Sequence, residues 1–60
     1  MAAKFVIKKG TSGQFHFNLV AANGETVATS ERYTTKEAAI KGTDAVKRAA
    51  AVADVDDQTT

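Results

Sequence analysis

Sixty residues allow at most one domain, and a chain this short buries only about 60% of the surface its unfolded form exposes. It holds no cysteine and one histidine, His16, which excludes disulfide staples, thiolate metal sites and an unaided zinc site. Eight Lys/Arg against seven Asp/Glu leave a net charge of +1, far from the basic signature of a dedicated nucleic-acid binder.

With so thin a core, the leading source of extra stability is a second copy of the chain. No apolar run approaches the ~20 residues of a membrane span. The apolar stretch Phe5-Val6-Ile7, set between lysines, is too short for a secretory signal. A cytoplasmic protein without membrane attachment is the expectation. The charge is mildly asymmetric, with Lys4, Lys8 and Lys9 early and Asp54, Asp56 and Asp57 late.

Residues 4–9 read as a first strand around the β-rich Phe5-Val6-Ile7. Gly10-Thr11-Ser12-Gly13 is turn chemistry. Residues 14–21 read as a second strand, with Phe15, Phe17 and Leu19 on one face at period two. Asn23-Gly24 then predicts a two-residue hairpin loop with positive φ at both positions, flanked by Ala22 and Glu25. Residues 25–30 make the third strand. That loop would pair Val20 with Val27, Leu19 with Ala28 and Phe17 with Ser30. In the first hairpin, Phe5 beside Phe17 and Ile7 beside Phe15 gathers the apolar side chains. The core face then carries Phe5, Ile7, Phe15, Phe17, Leu19 and Ala28. The other carries Val6, His16, Asn18, Val20, Val27 and Thr29.

Thr34-Thr35-Lys36-Glu37 matches a capping box with Thr34 as N-cap and Glu37 reaching back; Thr35 is the alternative N-cap. An alanine-rich helix follows to about Ala50, with Glu37–Lys41 and Asp44–Arg48 as i,i+4 pairs. Its apolar face is made of small residues: Ala39, Gly42, Thr43, Val46 and Ala49 or Ala50. Gly42 costs about 1 kcal/mol against alanine inside a helix, and close approach to the sheet would explain it. Residues 51–57 alternate weakly. They suit either a short fourth strand, pairing within the chain or with a partner, or frayed helix and tail. Residues 58–60 read as a disordered tail. The fold class is α+β: a three-stranded antiparallel meander followed by one helix packed on one sheet face, with a possible short C-terminal fourth strand, in one domain over 1–57.

Three segments carry a family resemblance. They are Lys4-Phe5-Val6-Ile7, Phe15-His16-Phe17-Asn18-Leu19-Val20-Ala21-Ala22-Asn23-Gly24-Glu25, and Ala28-Thr29-Ser30-Glu31-Arg32-Tyr33-Thr34-Thr35-Lys36. Together they resemble the YegP-like domain, a bacterial domain of unknown function, and the likeness continues through Ala38-Ala39, Lys41-Gly42 and Val46-Lys47. The resemblance implies an antiparallel sheet with a packed helix, in a unit found in tandem or as a paired single copy. A single unit therefore implies a homodimer. The family has no established activity, so no catalytic residue transfers. His16 and Asn18 stand where basic residues are common in the family, and Thr43 where an aliphatic one is usual. The first departure weakens any basic strand face, and the second loosens the helix–sheet contact.

Candidate chemistry is sparse. Histidine is the side-chain type that changes charge between about pH 5 and 8, and His16 falls opposite or near Glu31. No nucleophile stands at a useful spacing, so a solvated or interface histidine is the favoured reading. Thr29, Ser30, Thr34 and Thr35, with Arg32 and Lys36, surround a helix N-terminus able to attract an anion, but capping accounts for them. Asp54, Asp56 and Asp57 lack the glycine and distal glutamate of a calcium loop. Phe5, Phe15 and Phe17 would stack bases only if they were not core. Tyr33 is placed to pack its ring at the strand-to-helix joint with its hydroxyl wet. No catalytic residue, cofactor, metal or small-molecule substrate is expected. The first functional expectation is a homodimeric structural or interaction module using Val6, Val20 and Val27, or a strand edge, as its partner surface. The alternative is weak, salt-sensitive nucleic-acid binding through Lys4, Lys8, Lys9, Lys36, Lys41, Lys47 and Arg48.

Overall fold

The computed structural model describes residues 2–59. Strands β1 (Lys4–Lys9), β2 (Phe15–Val20) and β3 (Thr26–Thr29) form an antiparallel sheet in sequence order, and helix α1 (Lys36–Val52) follows. This is the expected α+β meander. β1 has the expected limits, while β2 and β3 stop one residue short at each end.

Both hairpin loops share one build. The Gly10 N–H donates to the Gln14 carbonyl at 2.8 Å, and the Gly13 N–H to the Gly10 carbonyl at 3.1 Å. In the second loop the Ala21 N–H donates to the Glu25 carbonyl at 2.8 Å, and the Gly24 N–H to the Ala21 carbonyl at 2.9 Å. Each loop holds three residues and ends on a left-handed glycine, Gly13 at φ 84° or Gly24 at φ 91°. The two-residue Asn23-Gly24 loop is thus corrected. Asn23 keeps a negative φ, and its Oδ1 accepts from the Glu25 N–H at 3.1 Å.

The loops set the registers. In the first hairpin Phe5 faces Leu19, Ile7 faces Phe17 and Lys9 faces Phe15. The expected pairing of Phe5 with Phe17 is therefore displaced by two residues. An even displacement leaves every side chain on its expected face. In the second hairpin Leu19 faces Ala28 as expected, and the Ser30 N–H donates to the Phe17 carbonyl at 2.9 Å. Val20, however, faces Thr26 rather than Val27. Val27 is the extra residue of a bulge, required because the longer loop adds one residue that the ladder must absorb.

The helix lies against β1 and β2. Phe17 and Ala39 are buried at its contact with the sheet, and Thr43 beside them bonds its hydroxyl to the Ile40 carbonyl at 2.6 Å. Phe5 meets Phe17 edge-on at 5.6 Å, and Tyr33 stacks on Phe17 at 6.2 Å between ring centres. Gly42 faces this stack. A Cβ there would lie 2.5 Å from the Tyr33 hydroxyl oxygen and 3.0 Å from the Phe17 ring. Absence of a side chain at Gly42 is what lets the helix approach so closely.

Thr35, not Thr34, caps the helix: its extended backbone (φ −130°, ψ 154°) turns the hydroxyl to accept from the Ala38 N–H at 3.1 Å. Glu37 then falls one position too early for a capping box, and acts instead as an acidic residue in the first turn. At the far end the run Ala49-Ala50-Ala51 carries the helix on to Val52. The possible fourth strand is not formed: residues 53–59 contain no strand, and Ala53 leaves the helix in an extended conformation. Of the expected tail over 58–60, Thr60 lies outside the described residues.

Candidate functional site

The helix covers one face of the sheet and leaves the other bare. On the bare face Val6 and Val20 are half-buried, and Val27, displaced by its bulge, is 63% exposed. Val6 faces Asn18, whose Oδ1 accepts from the Thr29 hydroxyl at 2.9 Å. All four residues of β3 are exposed, and its outer edge pairs with no other strand among the described residues.

The basic residues are placed on the first strand and along the helix. Lys4 and Lys47 line a recess of 430 Å³ between β1 and α1, floored by Phe5, Ile7, Leu19 and Ile40, where the Lys47 ammonium sits 5.7 Å from the Phe5 ring centre. The Lys9 ammonium lies 5.6 Å from the Phe15 ring centre. Lys8 stands across from His16. Arg48 is paired with Asp44 at 2.6 Å. Lys36 opens the helix, and Lys41 is exposed along it.

One polar hollow forms where sequence reasoning saw none. Gly10, Thr11, Ser12, Gln14, His16 and Arg32 enclose 240 Å³. Its origin is a second irregularity, where β3 ends. Phe17 bonds to Ser30, and Phe15 exchanges both backbone bonds with Tyr33 at 2.7 and 2.8 Å, so Glu31 and Arg32 together oppose His16 alone. The Ser30 hydroxyl closes this gap by accepting from the Phe17 N–H at 2.9 Å while donating to the Glu31 carbonyl at 2.7 Å. Two residues against one send their side chains apart. Arg32 shares the hollow with His16, and Glu31 lines a groove on the helix side with Tyr33 and Val46. Glu31 thus stands opposite His16 as expected, but it shares that position with Arg32, and it is Arg32 that lines the hollow with the histidine. Sequence offered no signal for this, because the extra residue sits in a stretch without glycine.

The acidic tail is locally satisfied. Asp56 accepts from the Gln58 amide at 2.9 Å. Asp57 accepts from the Thr59 hydroxyl and backbone N–H, which hold its carboxyl below the usual range. No cluster of three metal-ligating side chains occurs among the described residues. Phe17 lies buried under the helix and has no face free for a base. No helix of the described residues is long and apolar enough to cross a membrane.

A family model described as a domain of unknown function, DUF1508, matches residues 11–57. UPF0339 protein PA0329 of Pseudomonas aeruginosa is 56% identical over 48 residues, which is 80% of this chain and 44% of that protein. UPF0339 protein YegP of Escherichia coli is 49% identical over 47 residues, 78% of this chain and 43% of that one. The chain thus spans less than half the length of these two curated relatives. UPF0339 protein Atu0232 of Agrobacterium fabrum is 42% identical over 57 residues, covering 95% of this chain and 92% of that one. Among solved structures, the NMR solution structure of a protein from Haloferax volcanii superposes with a TM-score of 0.83 at 33% identity, covering 93% of this chain and 95% of that chain.

Proposed function

We propose, from the premise that this chain belongs to the DUF1508 family of YegP-like domains of unknown function, that it is a structural or interaction module assembled as a homodimer. One observation carries the reading: the burial is unfinished. Among the described residues no large side chain is fully buried, one face of the sheet is uncovered, and Val27, Val52 and Val55 stand exposed. A domain of this size gains most from a second subunit. The lengths of the relatives agree with it. Two copies of this chain would supply about as many residues as the longer P. aeruginosa and E. coli proteins, of which one copy matches 44% and 43%.

Light scattering across a concentration series tests the dimer, with twice the 6.3 kDa chain mass as the expected value. A monomer at every concentration overturns it. Val27→Lys then separates the geometries. It leaves the dimer intact if the subunits join edge to edge, and weakens it if they join face to face through Val6, Val20 and Val27.

The module acts by binding rather than by turnover. Supporting this, the Glu31 carboxylate lines the groove on the side of the sheet away from His16. A second reading, weak nucleic-acid binding, is favoured by Lys4 and Lys47 flanking one recess and Lys8 standing beside another. Such binding should fall steeply with salt. Salt-insensitive or absent binding to DNA and RNA removes it.

A further inference from the structure

The hollow around His16 is built from two stretches distant in sequence: the β1–β2 loop with the start of β2, and the link from β3 to α1. Its polar side chains suit an anion. Arg32 brings a guanidinium fork, His16 an imidazole, Thr11 and Ser12 hydroxyls, and Gln14 an amide. No acidic residue lines it. Among the described residues, the Arg32 guanidinium enters no ion pair and no hydrogen bond, while Arg48 is engaged with Asp44. The bulge that opposes Glu31 and Arg32 to His16 puts the cation in the hollow and the carboxylate on the other side of the sheet. Bulges recur where a side chain must be re-aimed at a site.

Of the charged residues across from His16, Glu31 lines the groove on the helix side of the sheet, and the others are cations. From β1, Lys8 lies directly across. From the link after β3, Arg32 shares the hollow. The β1–β2 loop contributes only neutral groups. An anion seated at His16 is drawn by the two cations that flank it, Lys8 and Arg32. We infer that this hollow is a binding site for a phosphate group, with Arg32 gripping two of its oxygens and a His16 ring N–H donating to a third. The inference is independent of the dimer.

The test is an NMR titration of the 15N-labelled protein at constant ionic strength. Sulfate, a stable tetrahedral dianion, is the first probe. The expected result is saturable displacement of the amide signals of Thr11, Ser12, Gly13 and Gln14 and of the His16 ring. Arg32→Gln should weaken binding by ~10-fold and leave the Phe17 and Ala39 signals in place, because the arginine is exposed and bonded to nothing among the described residues. Displacements matched by chloride, or unchanged binding in Arg32→Gln, each overturn the inference. Inorganic phosphate and a single-stranded oligonucleotide then distinguish the sources. Displacement of the same loop signals by the oligonucleotide, reversed by phosphate, assigns the site to a nucleic-acid backbone. Displacement by phosphate alone assigns it to a small phosphorylated molecule.

Discussion

The two hairpins begin from the same loop and end differently. Each closes three residues with a left-handed glycine and the same pair of backbone bonds. From the first loop, six cross-strand pairs run without a break. From the second, the ladder shifts at Val27 after a single pair of named-strand residues, and irregularity returns beyond Ser30. What differs is what lies on top. The first hairpin sits under α1, which packs on β1 and β2, whereas all of β3 is exposed. A loop chooses where pairing starts, and burial of one face decides how long one register is enforced.

The strongest way to break this contrast is to remove the residue both hairpins share. Phe17 pairs with Ile7 on one side and bonds to Ser30 on the other, under the helix. Phe17→Ala should cost about 3–5 kcal/mol, comparable with the ~3–9 kcal/mol expected for a domain of this size, and leave the chain largely unfolded by circular dichroism. Gly42→Ala comes next. The gain of about 1 kcal/mol in helix propensity is outweighed by the clash with Tyr33 and Phe17, giving a net loss of about 1–2 kcal/mol by urea denaturation. A Gly42→Leu variant of normal stability would show that the close approach does not matter.

The glycines sharpen the comparison directly. Gly13→Ala and Gly24→Ala each force a side chain into left-handed backbone, at about 1–2 kcal/mol. The first should lower the stability of the whole domain. The second should appear mainly as faster hydrogen exchange confined to β3, because that strand can open without uncovering the helix contact. Equal, global effects of both would dissolve the distinction between the hairpins. The smallest difference lies inside the loops. Asn23→Ala removes the bond to the Glu25 N–H and should cost about 0.5–1.5 kcal/mol. Ser12→Ala, at the matching position, loses only a long 3.5 Å contact to the Gln14 side chain and should stay within about 0.5 kcal/mol of wild type.

Element order, the limits of β1 and the membership of both faces were legible in the sequence, because period two and helix propensity are local signals. The registers were less so. Matching Phe5 to Phe17 and Ile7 to Phe15 satisfies hydrophobic alignment as well as the true pairing does, and only the three-residue span of the loop selects between them. Asn-Gly signals a turn in either loop length. Thr34 and Thr35 are equivalent as letters, and separate only through the backbone angles that make Thr35 the cap. Within the candidate site, the lysines were visible as a list but not as an arrangement. Arg32 beside His16 depends on one unpaired position between Ser30 and Tyr33, which no spacing rule announces.

The contact at Gly42 has a consequence for the family's history. Positions 33 and 42 share one volume, filled here by an aromatic ring and a bare backbone. A descendant that acquires a side chain at 42 must shrink the residue at 33, or tilt its helix away from the sheet. The two sites should therefore drift through evolution as a linked pair, although eight residues separate them along the chain.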